Sequence, residues 1–207
     1  MYKKIMRIIF IRHGESVGNK KNIIQGHKDF ALTKKGREQA QMVAERFRNI
    51  KIDAIYSSDL KRASQTAKII KKFHKKTPIF FSKLLRERNL GYLEGKRVDE
   101  VDLIKFRHRR PNGGETPSEL KKRVEIFLNY LFKKYSTETI LVVTHGGVIR
   151  MLYGIVNKKT IKECYDYMPS GFLANTCVFE LEAYIDKKKR KIFKTLRENC
   201  TRHLNNF

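Results

Sequence analysis

The sequence predicts an α/β fold built on a mostly parallel sheet, and three observations carry that reading. Two short runs, residues 8–11 and 140–143, are continuously bulky and apolar, as strands buried on both faces of a sheet are. Strand-like and helix-like stretches alternate along the chain. Its 207 residues, 41% of them hydrophobic, suffice for a sizeable core, and no repeat, low-complexity linker or proline-rich hinge divides them. The chain therefore reads as a single domain over residues 1–207.

Residues 6–12 are the first strand. Lys3, Lys4 and Arg7 ahead of the apolar run imitate a signal peptide, but Arg12 interrupts the run and no small-residue cleavage site follows. Thr33 caps a helix over about residues 34–49, with Ala40, Val43, Ala44 and Phe47 on one face. Residues 53–57 read as a strand. A helix follows from 60 to about 73, with Leu60, Ala63, Ala67 and Ile70 inward, and its basic end at 71–76 suits a helix C-terminus. Residues 79–81 make a short strand, and 86–115 are a polar, loop-rich excursion over the site. Thr116-Pro117-Ser118-Glu119 combines an N-cap, a proline at the first helical position and a returning glutamate. That helix runs to about residue 135 and buries Leu120, Val124, Phe127, Leu128 and Leu131. A strand at 139–144, a helix at 147–156 and a hairpin close the chain. The hairpin joins 177–185 to 192–196 through Lys187-Lys188-Lys189-Arg190-Lys191.

Lysine and arginine total 46 against 21 acidic residues, a net charge of +25. Such a field attracts anions of every kind. Most basic doublets fall on helix faces or ends and read as solvated surface. No aromatic-interleaved stacking motif and no helix-turn-helix signal supports nucleic-acid binding. No apolar run is long enough to span a bilayer. The three cysteines, Cys164, Cys177 and Cys200, are odd in number, lie far apart and lack metal-ligand spacing. They fit packing roles in a reducing, cytoplasmic setting.

The chemistry begins where the two apolar runs end. Arg12-His13-Gly14 and Thr144-His145-Gly146-Gly147 each deliver a histidine and a glycine to the carboxyl end of a strand, where open α/β sheets gather their ligand loops. An imidazole near neutral pH is a nucleophile, and phosphoryl transfer through a phosphohistidine splits one displacement into two steps. Arginine supplies a fork of donors for phosphoryl oxygens. A buried structural histidine and a metal ligand are the alternatives, but no carboxylate or cysteine accompanies either histidine at ligand spacing.

The surrounding motifs resemble the histidine phosphatase superfamily, which includes cofactor-dependent phosphoglycerate mutases and many small phosphatases. The resemblance rests on Arg12-His13-Gly14-Glu15-Ser16 with Asn19, on residues 25–40 and 56–67, and on Leu85-Arg86-Glu87-Arg88-Asn89-Leu90-Gly91 with Glu94-Gly95. It continues through Gly113-Gly114-Glu115-Thr116, residues 143–147 and His203-Leu204, in family order over nearly the whole chain. It implies a three-layer α/β/α sandwich. It implies His13 as the phosphorylated nucleophile, Arg12, Arg62 and His145 as the phosphate pocket, Asn19 as a further phosphate contact and Glu87 as the general acid. Glu94 and Glu15 compete with Glu87 for that last role. Glu15 reads as a support, and Gln25 and Gly26 as entrance residues or loop elements. Ala31 stands where the family usually has proline, which touches a turn and no chemistry.

The short span from Lys96 to Asn112 resembles the small phosphatase branch, so hydrolysis of a small phosphorylated metabolite ranks ahead of phosphoglycerate mutation. A polyanion-binding module without activity is a further alternative. The phosphatase needs no cofactor and no metal, whereas a mutase needs a bisphosphorylated primer. The cationic stretch at 106–111 suggests a rim favouring substrates with more than one acidic group.

Overall fold

The two apolar runs serve two cores at once. In the computed structural model, which describes residues 4–106, 108–166 and 173–204, strand β1 (Met6–Arg12) sends Ile8 and Phe10 to one side of the sheet and Ile9 and Ile11 to the other. Strand β4 (Thr139–Thr144) divides Ile140 and Val142 from Leu141 and Val143 in the same way. Alternation of side chains along a strand, with helices on both faces, explains why these runs show no polar interruption.

The remaining elements are helices α1 (Val17–Lys20) and α2 (Lys34–Phe47), strand β2 (Ala54–Ser57), helix α3 (Lys61–Lys71), strand β3 (Ile79–Phe81), helices α4 (Pro117–Lys134), α5 (Gly146–Val156) and α6 (Ile161–Asp166), and strands β5 (Val178–Ile185) and β6 (Lys191–Cys200). The six strands lie in the order β3-β2-β4-β1-β5-β6. The first four are mutually parallel, and β5 and β6 extend the sheet antiparallel. α2 and α3 pack Val43, Phe47, Ala63 and Ile70 on one face. α4 and α5 pack Leu120, Phe127, Leu131 and Leu152 on the other. The architecture is thus a three-layer sandwich on a mostly parallel sheet.

The expected caps are present. Thr33 accepts the N–H of Gly36, and Thr116 and Glu119 satisfy each other's backbone in a reciprocal box. β2 starts at Ala54 rather than residue 53, because the Asp53 carboxylate accepts the Thr139 N–H at 2.9 Å. The sequence reading left out α1 and α6 and ended the last strand too soon. β6 runs on to Cys200, which stands opposite Val178, and Arg197 pairs with the buried carboxylate of Glu180. At Ala31 the turn holds without proline: the Ala31 carbonyl accepts the Val17 N–H at 2.9 Å.

The excursion is ordered into 3-10 turns at Gly91–Leu93, Val98–Glu100 and Leu103–Phe106. Arg88 staples it to the core. Buried, it donates to the carbonyls of Glu115, Phe106 and Arg109 and to the Tyr165 hydroxyl. Among the described residues no helix is long and apolar enough to cross a membrane.

Candidate active site

Parallel pairing of β1 with β4, Arg12 opposite Thr144, makes the two histidine loops neighbours. The His13 N–H donates to the Thr144 carbonyl at 3.0 Å, and the two rings lie 5.1 Å apart, tilted by 60°. The spacing allows one phosphoryl group to meet both. Gly14 permits this crossing, since a Cβ there would lie 2.3 Å from the Gly36 carbonyl oxygen.

His13 Nδ1 sits 2.7 Å from the Gly14 carbonyl. A carbonyl only accepts, so Nδ1 carries the proton and Nε2 keeps its lone pair. Burial, then Arg62 and Arg12, hold His13 well below the usual imidazole value, so the ring is neutral. His145 is held down in the same way, by burial first and then by Arg62, His13 and Arg12.

Arg62 is 1% exposed at the start of α3, where two hydrogen bonds aim it: Nη2 to the Gly26 carbonyl at 2.8 Å and Nη1 to Lys28 at 3.1 Å. Burial lowers it to about 10, which leaves it charged at neutral pH. Arg12 donates to the Leu173 carbonyl. Among the described residues, Arg12 Nε, Arg62 Nε and both ring nitrogens of His145 are buried without a hydrogen-bond partner. Buried polar atoms are ordinarily satisfied, and these exceptions, gathered beside the neutral His13 ring, suit the oxygens of an anion.

The three candidate carboxylates separate cleanly. Glu94 accepts the backbone N–H groups of His27, Lys28 and Leu90 and so clamps a loop. Glu15 accepts the Thr33 hydroxyl at 2.6 Å. Only Glu87 of the three lines the cavity with Arg12, Gly146 and Gly147. Its carboxylate accepts the N–H groups of Arg88 at 2.8 Å and Gly147 at 3.0 Å. Gly147 must be bare for this, because a Cβ there would lie 2.1 Å from Glu87 Oε1.

Asn19 faces a small adjoining cavity with Arg12, its oxygen accepting the Ser16 N–H at 3.1 Å, so its NH2 end is the free donor. Gln25 and Gly26 stand behind the wall instead of lining it. The Gln25 oxygen accepts the Ser16 hydroxyl at 2.7 Å. Gly26, at φ +47°, turns its carbonyl to Arg62.

Sequence reasoning missed Arg123. Read there as part of a solvated basic run, it is largely buried against Glu115 and donates to the carbonyls of Leu84, Arg86 and Glu87 at 2.6–2.8 Å. It therefore fixes the backbone that carries Glu87. Asn175 was also missed; its amide donates to the His13 carbonyl at 3.0 Å.

The cationic rim does not form at the cavity among the described residues. Within 106–111, Phe106 lines the cavity, His108 packs edge-on against Tyr165 and Arg110 turns to Glu119. Arg107 lies outside the described residues. The cavity, about 390 Å³, is walled instead by Leu90, Val98, Leu103, Phe106 and Leu173, with Arg88 and Arg150 at its side.

These buried histidines have a consequence for stability. His13, His145, His74 and His203 are all pushed down, chiefly by burial, His203 to about 4. Each takes up a proton on unfolding once the pH falls below the free value of about 6.5. The urea midpoint is expected to be flat above that value and to fall steadily toward pH 4. A midpoint unchanged from pH 7 to 5 would contradict the buried neutral rings.

Comparison with known proteins agrees with this geometry. The sequence pattern described as Histidine phosphatase superfamily (branch 1) matches residues 8–194. Phosphoglycerate mutase-like protein 4 of Arabidopsis thaliana is 43% identical over 158 residues, 70% of this chain and 69% of that protein. A broad-specificity phosphatase of Saccharomyces cerevisiae is 35% identical over 158 residues, 72% of this chain and 69% of that protein. The structure of Bacillus stearothermophilus YhfR superposes with a TM-score of 0.85 at 28% identity, covering 97% of this chain and all of that one. The chain belongs to the histidine phosphatase superfamily. It is an enzyme of that class, a hydrolase of phosphomonoesters.

Proposed function

We propose that the protein hydrolyses small phosphomonoesters with a largely apolar leaving group, through a phosphohistidine at His13. The observation that carries the reading is the set of unpartnered buried N–H donors around one neutral imidazole. Nε2 of His13 forms the bond to phosphorus as the ester P–O bond breaks, and Glu87 gives its proton to the departing oxygen. Water then attacks the phosphohistidine, Glu87 recovers the proton, and phosphate leaves with the His13 ring restored. Arg12, Arg62, His145 and the Asn19 amide hold the equatorial oxygens, where charge concentrates in the transition state. The arriving dianion offsets the arginine field and favours a second proton on His145, so that both of its ring nitrogens donate. Gln25 and Gly26 act indirectly, through the loop that aims Arg62. The chemistry calls on no metal and no cofactor.

The apolar wall supports the leaving-group assignment, whereas a multiply acidic substrate would call on Arg88 and Arg150 at the side of the cavity. Hydrolysis of 1-naphthyl phosphate is expected to exceed that of phosphoserine and 3-phosphoglycerate in kcat/KM by one to two orders of magnitude, as filling an apolar pocket allows. The assay is phosphate release in the presence of a chelator. Equal or better use of the charged esters would remove the assignment, and isomerisation of 3-phosphoglycerate with a bisphosphorylated primer would replace hydrolysis by mutation. The continuous six-stranded sheet supports one catalytic domain, and three free cysteines support a cytoplasmic setting.

A further inference from the structure

The end of the sheet opposite the catalytic loops carries a different chemistry. β5 runs antiparallel to β1 with Met6 opposite Ala183, so the β5–β6 turn lies beside the amino end of β1, while His13 and His145 lie at the carboxyl ends. At the tip, Lys187, Lys188 and Lys189 are consecutive and exposed. Asp186 is already occupied: its carboxylate accepts the backbone N–H groups of Lys188 and Arg190 and pairs with the Arg190 guanidinium at 2.7 Å. Among the described residues, none of Lys4, Lys187, Lys188 and Lys189 has a carboxylate partner. Beside them Ile5 and Ile185 are 37% and 52% exposed. A groove of about 810 Å³ adjoins them, floored by Met6, Phe132 and Ile192 and rimmed by Lys4, Lys187 and Arg190.

Exposed aliphatic side chains within a ring of uncompensated ammonium groups match an anionic bilayer surface. Lysines on flexible stems reach headgroup phosphates and carboxylates, while the isoleucines enter the boundary between headgroups and acyl chains. A nucleic-acid backbone would use the charge but leave the isoleucines uncovered, and the run Lys187-Lys188-Lys189 carries no interleaved aromatic residue on which bases could stack. The chain's net charge of +25 supplies long-range attraction, and the hairpin supplies orientation. We infer that the β5–β6 tip, with Lys4 and Ile5, docks the protein on anionic membranes, leaving the catalytic cavity facing solution.

The test is co-sedimentation with vesicles of phosphatidylcholine alone and with roughly 30% phosphatidylserine, over a range of salt. The protein is expected to bind the anionic vesicles only, and less as salt rises. Lys187→Glu/Lys188→Glu/Lys189→Glu is expected to weaken binding at least about 100-fold, from a loss of about fivefold per lysine removed. Ile185→Ser is expected to weaken it about fivefold with all charges kept. Both variants lie far from His13 and should hydrolyse a soluble aryl phosphate at the wild-type rate, so membrane docking fails or stands independently of the catalytic reading. Equal binding to neutral vesicles, unimpaired binding by either variant, or tighter binding to duplex DNA than to the anionic vesicles would overturn the proposal.

Discussion

His13→Ala is expected to lower phosphomonoester hydrolysis by about four to six orders of magnitude, the scale on which removal of a covalent nucleophile acts. No neighbour can replace it. His145 is likewise buried with depressed basicity, but it follows β4 and faces the first ring at 5.1 Å, so both rings cannot attack one phosphorus along one line. The Gly14 carbonyl fixes the His13 tautomer that leaves Nε2 free, and among the described residues nothing of that kind holds His145. Rapid alkaline quench of the wild type with an isotopically labelled ester should leave alkali-stable, acid-labile phosphate on His13, and the variant should carry none. Because Nε2 stays unprotonated well below the usual imidazole range, the nucleophile itself should impose no loss of kcat/KM between pH 7 and 6. The urea midpoint of the variant checks that the fold survives. Hydrolysis persisting in a folded variant, or label on another residue, would remove His13 from the centre of the mechanism.

The parts of this molecule written in local pattern were legible in its sequence, and the parts made by distant backbone were not. β1 and β4 announce themselves because both faces are buried, and their ends carry the two histidines. The Thr116 box announces α4 because its partners stand three residues apart. Arg123 lies in that same helix, yet its partners are carbonyls of residues 84–87, some 36–39 positions away. No local spacing reports them, and a buried arginine beside Lys121 and Lys122 looks like one more solvated cation. The choice among Glu15, Glu87 and Glu94 was open for the same reason. Each carboxylate is decided by which backbone amides or hydroxyl it meets across the loop, and only one meets the bare backbone of Gly147. The excursion misled more strongly. Its charge is conspicuous in the sequence, but Arg88 gathers its carbonyls and the 3-10 turns present Val98, Leu103 and Phe106 to the cavity.

Glu87→Gln separates the two half-reactions. The substitution keeps size and one acceptor oxygen, so the N–H groups of Arg88 and Gly147 retain a partial hold on the side chain. It removes the exchangeable carboxyl proton. For an alkyl phosphate, whose departing oxygen must be protonated as the bond breaks, kcat is expected to fall by about two to four orders of magnitude. For 4-nitrophenyl phosphate the leaving phenolate is stable unprotonated, so phosphorylation of His13 should proceed at close to the wild-type rate. The second half-reaction still needs a base for water, and it slows with either ester. Phosphohistidine should therefore accumulate, and stopped-flow traces should show a burst approaching one nitrophenolate per enzyme, followed by slow turnover. A mere disturbance of the pocket would slow both esters alike and give no burst, because phosphorylation would then be limiting. That result, in a variant whose vanadate affinity matches the wild type, would transfer the proton from Glu87 to another group.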